Sequence, residues 1–270
     1  MPLQLESVTY LEIFRMILRS PSPPPAATTD VVSAWKVIAR TQQQVFQGTV
    51  DLVTQPSHAA LAGEIAAKIK PEIFGPLSAD ALRAIAMHDS GWGPPDAQQI
   101  MRLREASGKP GSKAAQSVSF LAASPKESIT AWKASIETAL QSSALGAYLV
   151  SAHFSRLAES IGGAPHREFI AAERSRQEQL QKKLVMPFAD LDRMVEALQF
   201  CDELSLYLCC GAHENVSFSQ AGGIELRREG NECVFHPAIF AGPQTFQFAV
   251  LHMVHGKKTA GGAEIDVTLR

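Results

Sequence analysis

The stretch Ala84-Ile85-Ala86-Met87-His88-Asp89-Ser90-Gly91-Trp92 carries an apolar run directly into two adjacent ionisable residues and a glycine. Ser78 upstream is a good N-cap and Asp80 suits a first helical turn, so the stretch reads as the end of a helix stopped at Gly91. Residues three and four apart share a helix face, which puts Asp89 on the stripe of Leu82, Ile85 and Ala86. His88 points about 100° away and borders the same helix end. A carboxylate on an apolar stripe needs a partner, because burying an unpaired charge is very costly.

The same pattern recurs on both sides. Pro56-Ser57 opens a helical segment over 58–70, closed by Pro71 and Gly75, with His58 on the face of Leu61, Ala62, Ile65 and Ile69. Further helices are expected over 128–141, 145–160, 166–184 and 189–210. His153 lies with Leu149 and Leu157, and Asp202 is flanked on its face by Val195, Leu198, Leu206 and Cys209.

Toward the ends the character changes. The run Ser20-Pro21-Ser22-Pro23-Pro24-Pro25-Ala26-Ala27-Thr28-Thr29 excludes helix and central strand, since proline removes donors and fixes φ. It reads as a linker, so residues 1–30 form an extension. Residues 31–38 and 45–54, rich in β-branched and aromatic side chains, predict a β-hairpin broken at Thr41-Gln42-Gln43-Gln44. The polar stretch 93–116 reads as a loop over the site with some helix in it. From Val216 onward, Gly222-Gly223 and Glu229-Gly230-Asn231 separate short β-rich runs. The fold class is therefore α+β, mainly α: one domain over 31–270, with a helical core at about 56–212 and a β-rich part at 213–270. A small sheet is expected from the N-terminal hairpin and the C-terminal strands.

Composition narrows the function classes. A formal charge of −2, a pI near 6.5 and the absence of any Lys/Arg block exclude a broad nucleic-acid face. The apolar stretch at Tyr10–Leu18 is short, internally charged and lacks a basic flank, so neither signal peptide nor membrane span is expected. Cys201, Cys209, Cys210 and Cys233 lie in apolar surroundings without disulfide or CxxC spacing. They read as reduced core residues of a cytoplasmic protein.

Neutral imidazole and ionised carboxylate are natural ligands of zinc, manganese and iron, and helical bundles build metal sites from facing side chains. His58, His88, Asp89 and Asp202 are accordingly the candidate ligands of a divalent ion. Asp89 is also a candidate bridge, and His153 a base or substrate contact. Trp92 is a candidate stacking surface for a small-molecule substrate. Glu203 falls off the most apolar face and is expected in solvent, and Asp96 in Pro94-Pro95-Asp96 is expected to be a turn residue. His213, His236, His252 and His255 are expected outside the site. Cys201 and Cys209 are expected to act as small hydrophobes.

The order His58, His88-Asp89, Asp202 resembles the H…HD…D signature of HD-domain phosphohydrolases. More closely, Gln55-Pro56-Ser57-His58-Ala59-Ala60-Leu61-Ala62-Gly63, His88-Asp89-Ser90-Gly91-Trp92, Val150-Ser151-Ala152-His153 and Cys201-Asp202-Glu203-Leu204-Ser205-Leu206-Tyr207-Leu208-Cys209 resemble a bacterial family labelled only as a domain of unknown function. That resemblance runs from about Val45 to the C-terminus. The HD resemblance implies a helical bundle holding a metal and hydrolysing a phosphate ester or nucleotide-like molecule. Where many HD phosphohydrolases carry a phosphate-binding lysine, Trp92 stands here. His153, with His166 as a further histidine, is similar to the longer pattern of dinuclear HD proteins, which adds di-iron oxygenation as an alternative. Ligand binding without catalysis is the other.

Overall fold

The computed structural model describes residues 16–21, 29–43, 49–106, 119–229, 232–254 and 260–270. Its first half runs β1 (Ile17–Arg19), β2 (Val32–Ser33), α1 (Ala34–Gln42), β3 (Thr49–Val53), α2 (Gln55–Ala66), α3 (Pro71–Phe74), α4 (Ala79–Ala86) and α5 (Gly93–Ala106). The second half runs α6 (Pro125–Ser142), α7 (Ala144–Ile161), α8 (Ala164–Gln181), α9 (Phe188–Cys210), β4 (Val216–Phe218), β5 (Ile224–Glu229), β6 (Glu232–His236), β7 (Gln244–Val254) and β8 (Ala260–Leu269). The class is α+β and mainly α. Most of the Pro-rich run and residues 107–116 lie outside the described residues.

All eight of these strands join one sheet in the order β1-β3-β7-β8-β6-β5-β4-β2, larger than the small sheet expected. Pairing is antiparallel except at β2 with β4 and β6 with β8. The long β7–β8 ladder, Gln244 opposite Leu269 through Met253 opposite Ala260, is its backbone.

The N-terminal hairpin does not form. Its first arm keeps only the two-residue strand β2 and from Ala34 on is helix α1, whose buried residues Ala34, Val37, Ile38, Thr41 and Gln42 follow a helical spacing. β-Branched content suggested strand, but the period of burial, which tertiary packing enforces, is that of a helix. Its second arm, β3, pairs instead with β1 and β7. Residues 17–19, placed in the extension by the sequence reading, thus form a strand of the sheet.

That strand is tied in from two sides. The Gln42 side chain accepts from the Leu18 N–H at 2.9 Å and donates to the Leu18 carbonyl at 2.8 Å. The Arg19 guanidinium donates to the carbonyls of Leu208, which also accepts the Gly211 N–H, and Cys209 in the last turn of α9. Gly211 ends α9 at φ +68°, a conformation that disfavours a side chain, and a Cβ there would lie 2.9 Å from the Arg19 guanidinium. Sheet and central helix are locked together at this corner.

Helices α2, α7 and α9 form the interior of the bundle. Leu61, Ala62, Ile65, Leu149, Val150, Leu198, Phe200 and Leu204 are all essentially without exposure. A helix apolar on nearly every side must be enclosed by neighbours, so any ionisable group on it is enclosed too. The close α2–α4 crossing depends on Gly63, where a Cβ would meet the Ala86 Cβ at 2.4 Å. The four free cysteines are buried, as expected of core residues.

Candidate functional site

Four elements deliver the candidate ligands to one point. Strand β3 runs into α2 through Thr54, whose side chain accepts from the Ser57 N–H, with Pro56 in the first turn. His58 follows on the inner face and is fully buried. Helix α4 ends at Ala86, and the His88 Nδ1 lies 2.8 Å from the Ile85 carbonyl. That bond puts a proton on Nδ1 and aims Nε2 inward, the orientation a metal-bound imidazole requires. Asp89 follows at the start of the Ser90–Trp92 3₁₀ turn, while His153 comes from α7 and Asp202 from α9.

The side chains meet around the Asp202 carboxylate. Its Oδ1 lies 3.1 Å from His58 Nε2 and 3.2 Å from His88 Nε2, and its Oδ2 lies 3.7 Å from His153 Nε2. Asp89 Oδ2 approaches the same two imidazoles, 3.5 Å from His58 Nε2 and 3.8 Å from His88 Nε2. His58, His88 and Asp202 form the tightest set, with donor atoms within 4.8 Å of one another. Donors on a divalent ion at about 2.1 Å stand about 3.0 Å apart in octahedral and about 3.4 Å apart in tetrahedral geometry. The contacts of His58 and His88 with Asp202 have the length of such edges, and those with Asp89 are longer, at 3.5 and 3.8 Å. The His153 Nδ1 is buried without a hydrogen-bond partner, and its Nε2 faces Asp202 beyond hydrogen-bonding distance. An imidazole so placed fits a cluster completed by something bound.

Burial and mutual charge set the protonation of the cluster. Burial works to lower His88, but Asp89 and Asp202 outweigh it and raise the ring to about 9. Burial works to raise Asp202, but hydrogen bonds from His58 and His88 hold it far below the usual carboxylate range. Asp89 is raised by burial, against the pull of His88 and His58. Burial holds His153 down to about 3, so that ring is neutral. Without an ion, a His88 proton balances Asp202; an ion would displace it.

The cluster lies on the wall of a cavity of about 660 Å³. Asp89, Trp92, His153, Asp202, Glu203 and Gln220 all line it, Gln220 being contributed by the segment after β4.

A family model described as Protein of unknown function (DUF3891) matches residues 38–250. The chain belongs to this family. No curated protein and no solved structure matches it. In this DUF3891 chain, therefore, function has to be argued from the site itself.

Two residues of that site depart from the sequence reading. Glu203 is half-buried on the cavity wall instead of solvated, accepting from Gln220 Nε2 at 3.3 Å and from the Trp35 backbone N–H, and burial pushes it up to about 7. The missed signal is the stripe Gln199, Asp202, Glu203, Leu206 on α9, spaced i, i+3, i+4, i+7, every member of which lines the cavity. Asp96 is no turn residue. It is buried in α5 and accepts the Gln55 N–H at 2.8 Å, satisfying one of the first donors of α2 and so fixing the helix that carries His58. His252 pairs with Asp51 on the sheet, and His166 packs on Trp132 with its Nδ1 against the Gly162 carbonyl, so neither joins the cluster.

Asp96 makes stability depend on pH. Burial raises its carboxyl from 3.8 to about 8, and its Oδ1 has no partner. A raised acid binds a proton in the folded state that the unfolded state releases. Its contribution is therefore complete below about pH 4 and is lost as pH rises toward 8. Asp96→Asn, which cannot ionise, is expected to gain on wild type by a margin that grows from pH 5 to pH 8, on the order of a few kcal/mol. Urea midpoints at both pH values check this; an equal difference at the two would show that Asp96 ionises freely in the fold.

Proposed function

We propose that this protein is a metal-dependent hydrolase of the HD type acting on a small molecule. The observation that carries the reading is the convergence of His58, His88, Asp89 and Asp202 from three segments of the chain beside a cavity, with His58 and His88 Nε2 3.1 and 3.2 Å from Asp202 and 3.5 and 3.8 Å from Asp89. The order of the motif residues supports the HD assignment.

His58 and His88 through Nε2, with the carboxylates of Asp89 and Asp202, would hold the ion. Bound there, a divalent metal supplies Lewis acidity and a water ionised near neutral pH. The chain's own residues do the rest. The Ile85 carbonyl keeps the His88 proton on Nδ1, leaving Nε2 free to ligate. His153, on the cavity wall with its Nε2 toward Asp202, would contact bound substrate. Trp92, buried beside Asp89, shields that side of the cluster from bulk water. Among the described residues one group of three or more donors forms, which favours a single ion over the paired irons of an oxygenase.

The test is a screen of phosphate esters, carboxylic esters and amides with zinc, manganese or iron, comparing wild type with His88→Ala and Asp89→Ala. Hydrolysis by wild type that falls at least about a hundredfold in both variants is expected. Equal rates in all three proteins, or no turnover with any metal, would remove the hydrolase reading.

A further inference from the structure

The chain contains three tryptophans, Trp35, Trp92 and Trp132, and all three line the one cavity that holds the His/Asp cluster. Trp35 and Phe120 offer ring surface to it, while Trp92, Trp132 and Phe154 back it from the core. Trp132 stacks on Phe154 with centroids 5.2 Å apart and planes within 17°. Trp35 meets Phe120 edge-on at 6.4 Å and keeps 42% of its surface exposed, placing it at the mouth. Exposed Ile161 continues this apolar rim.

The charges on this wall do not balance evenly. Asp89 and Asp202 are committed to the cluster, where an ion of charge +2 would neutralise them. Arg156 is engaged with Asp192 and with Gln199 Oε1, so its charge is compensated within the fold. His153 is neutral. Glu203 is left: it lines the cavity, takes hydrogen bonds from Gln220 and the Trp35 backbone, and pairs with no lysine or arginine among the described residues. A carboxylate held partly out of water by neutral donors, facing a hollow walled by rings, is complementary to a cation. Aromatic faces add their own attraction for positive charge, about 0.5–2 kcal/mol per well-placed ring. The same wall is poorly suited to a ligand whose anionic group would sit beside Glu203.

We infer that the cavity takes a small molecule with a flat apolar body and a protonated amine, the body against the tryptophan and phenylalanine wall and the amine on the Glu203 carboxylate. This deepens the hydrolase reading by naming the chemistry of its substrate, and it rests on that reading only for the claim that the ligand is turned over.

The experiment uses the full chain, metal-loaded, at about pH 8, and follows the intrinsic fluorescence of the three tryptophans. Phenethylamine, 2-phenylethanol and 3-phenylpropanoate are titrated in parallel, being alike in body and different in charge. Phenethylamine is expected to bind at least about tenfold more tightly than either of the others, a difference of about 1.4 kcal/mol. Glu203→Gln, close to isosteric, is expected to erase that preference. Trp35→Ala is expected to weaken all three probes together while leaving the preference in place. Equal affinities in wild type, preference for the carboxylate, absence of any response, or an amine preference that survives in Glu203→Gln would each overturn the inference. Zinc uptake measured separately by calorimetry keeps the two readings apart. Zinc bound without amine preference sinks the ligand assignment alone, and amine preference without zinc binding sinks the metal reading alone.

Discussion

Asp202→Ala protein is expected to retain less than about a tenth of the metal that wild type carries after purification and dialysis. Asp202 is the hub of the cluster, with three imidazole Nε2 atoms within 3.7 Å of its two oxygens. Removing it takes away a ligand and half the negative charge available to the ion, and leaves Asp89, 3.5 and 3.8 Å from His58 and His88 Nε2, as the remaining carboxylate. Even residues that only orient a ligand cost about 10–100-fold in metal affinity when replaced, and a direct ligand costs more. The fold is also affected, because the His58 and His88 hydrogen bonds to Asp202 are lost in an interior without water to replace them. Asp202→Asn separates the two effects, since the amide preserves shape and one acceptor but carries no charge. Elemental analysis with circular dichroism reads both. Full stoichiometric metal in the alanine and asparagine variants alike would mean that the ion is held elsewhere.

The second large effect is mechanical. At Gly91 a Cβ would stand 2.0 Å from the Ala131 carbonyl oxygen and 2.8 Å from the Ser135 nitrogen, both backbone atoms of α6. The Gly91 N–H also donates to Ser135 Oγ at 2.9 Å, so the turn lies flat on that helix. Gly91→Ala must push the turn or the helix aside, and the turn is the one that follows Asp89 and contains Trp92. A loss of at least about 3 kcal/mol is expected, at the upper end of overpacking, together with reduced metal content. Gly93→Ala is the control: its Cβ would find Pro56 Cγ at 3.7 Å, an ordinary contact. Denaturation midpoints that match between the two variants would contradict the packing described for α6.

Much of this arrangement is legible in the sequence because burial is periodic. An ionisable residue on an apolar stripe stands out, as His58, Asp89, His153 and Asp202 do, and His88 is marked by its place beside Asp89. The missing parts share a physical reason. Helix α1 was obscured by β-branched residues whose local preference points to strand while their spacing of three and four points to helix. Strand β1 has three residues, too few to show alternation, and it is held by partners distant in sequence such as Leu52 and Gln42. Asp96 and Glu203 carry ordinary turn and surface chemistry, and only tertiary packing, against the start of α2 and against Gln220, gives them a role.

The Gln42 contact also bears on how the molecule coexists with copies of itself. β1 is the outermost strand on its side of the sheet, where exposed backbone groups invite strand addition from another chain. Here the outward groups of Leu18 are taken by the Gln42 amide and the Met16 carbonyl by the Phe120 N–H. One glutamine side chain and the first residue of a 3₁₀ turn stand in for a neighbouring strand at Met16 and Leu18, so this part of the border is closed to strand addition from within.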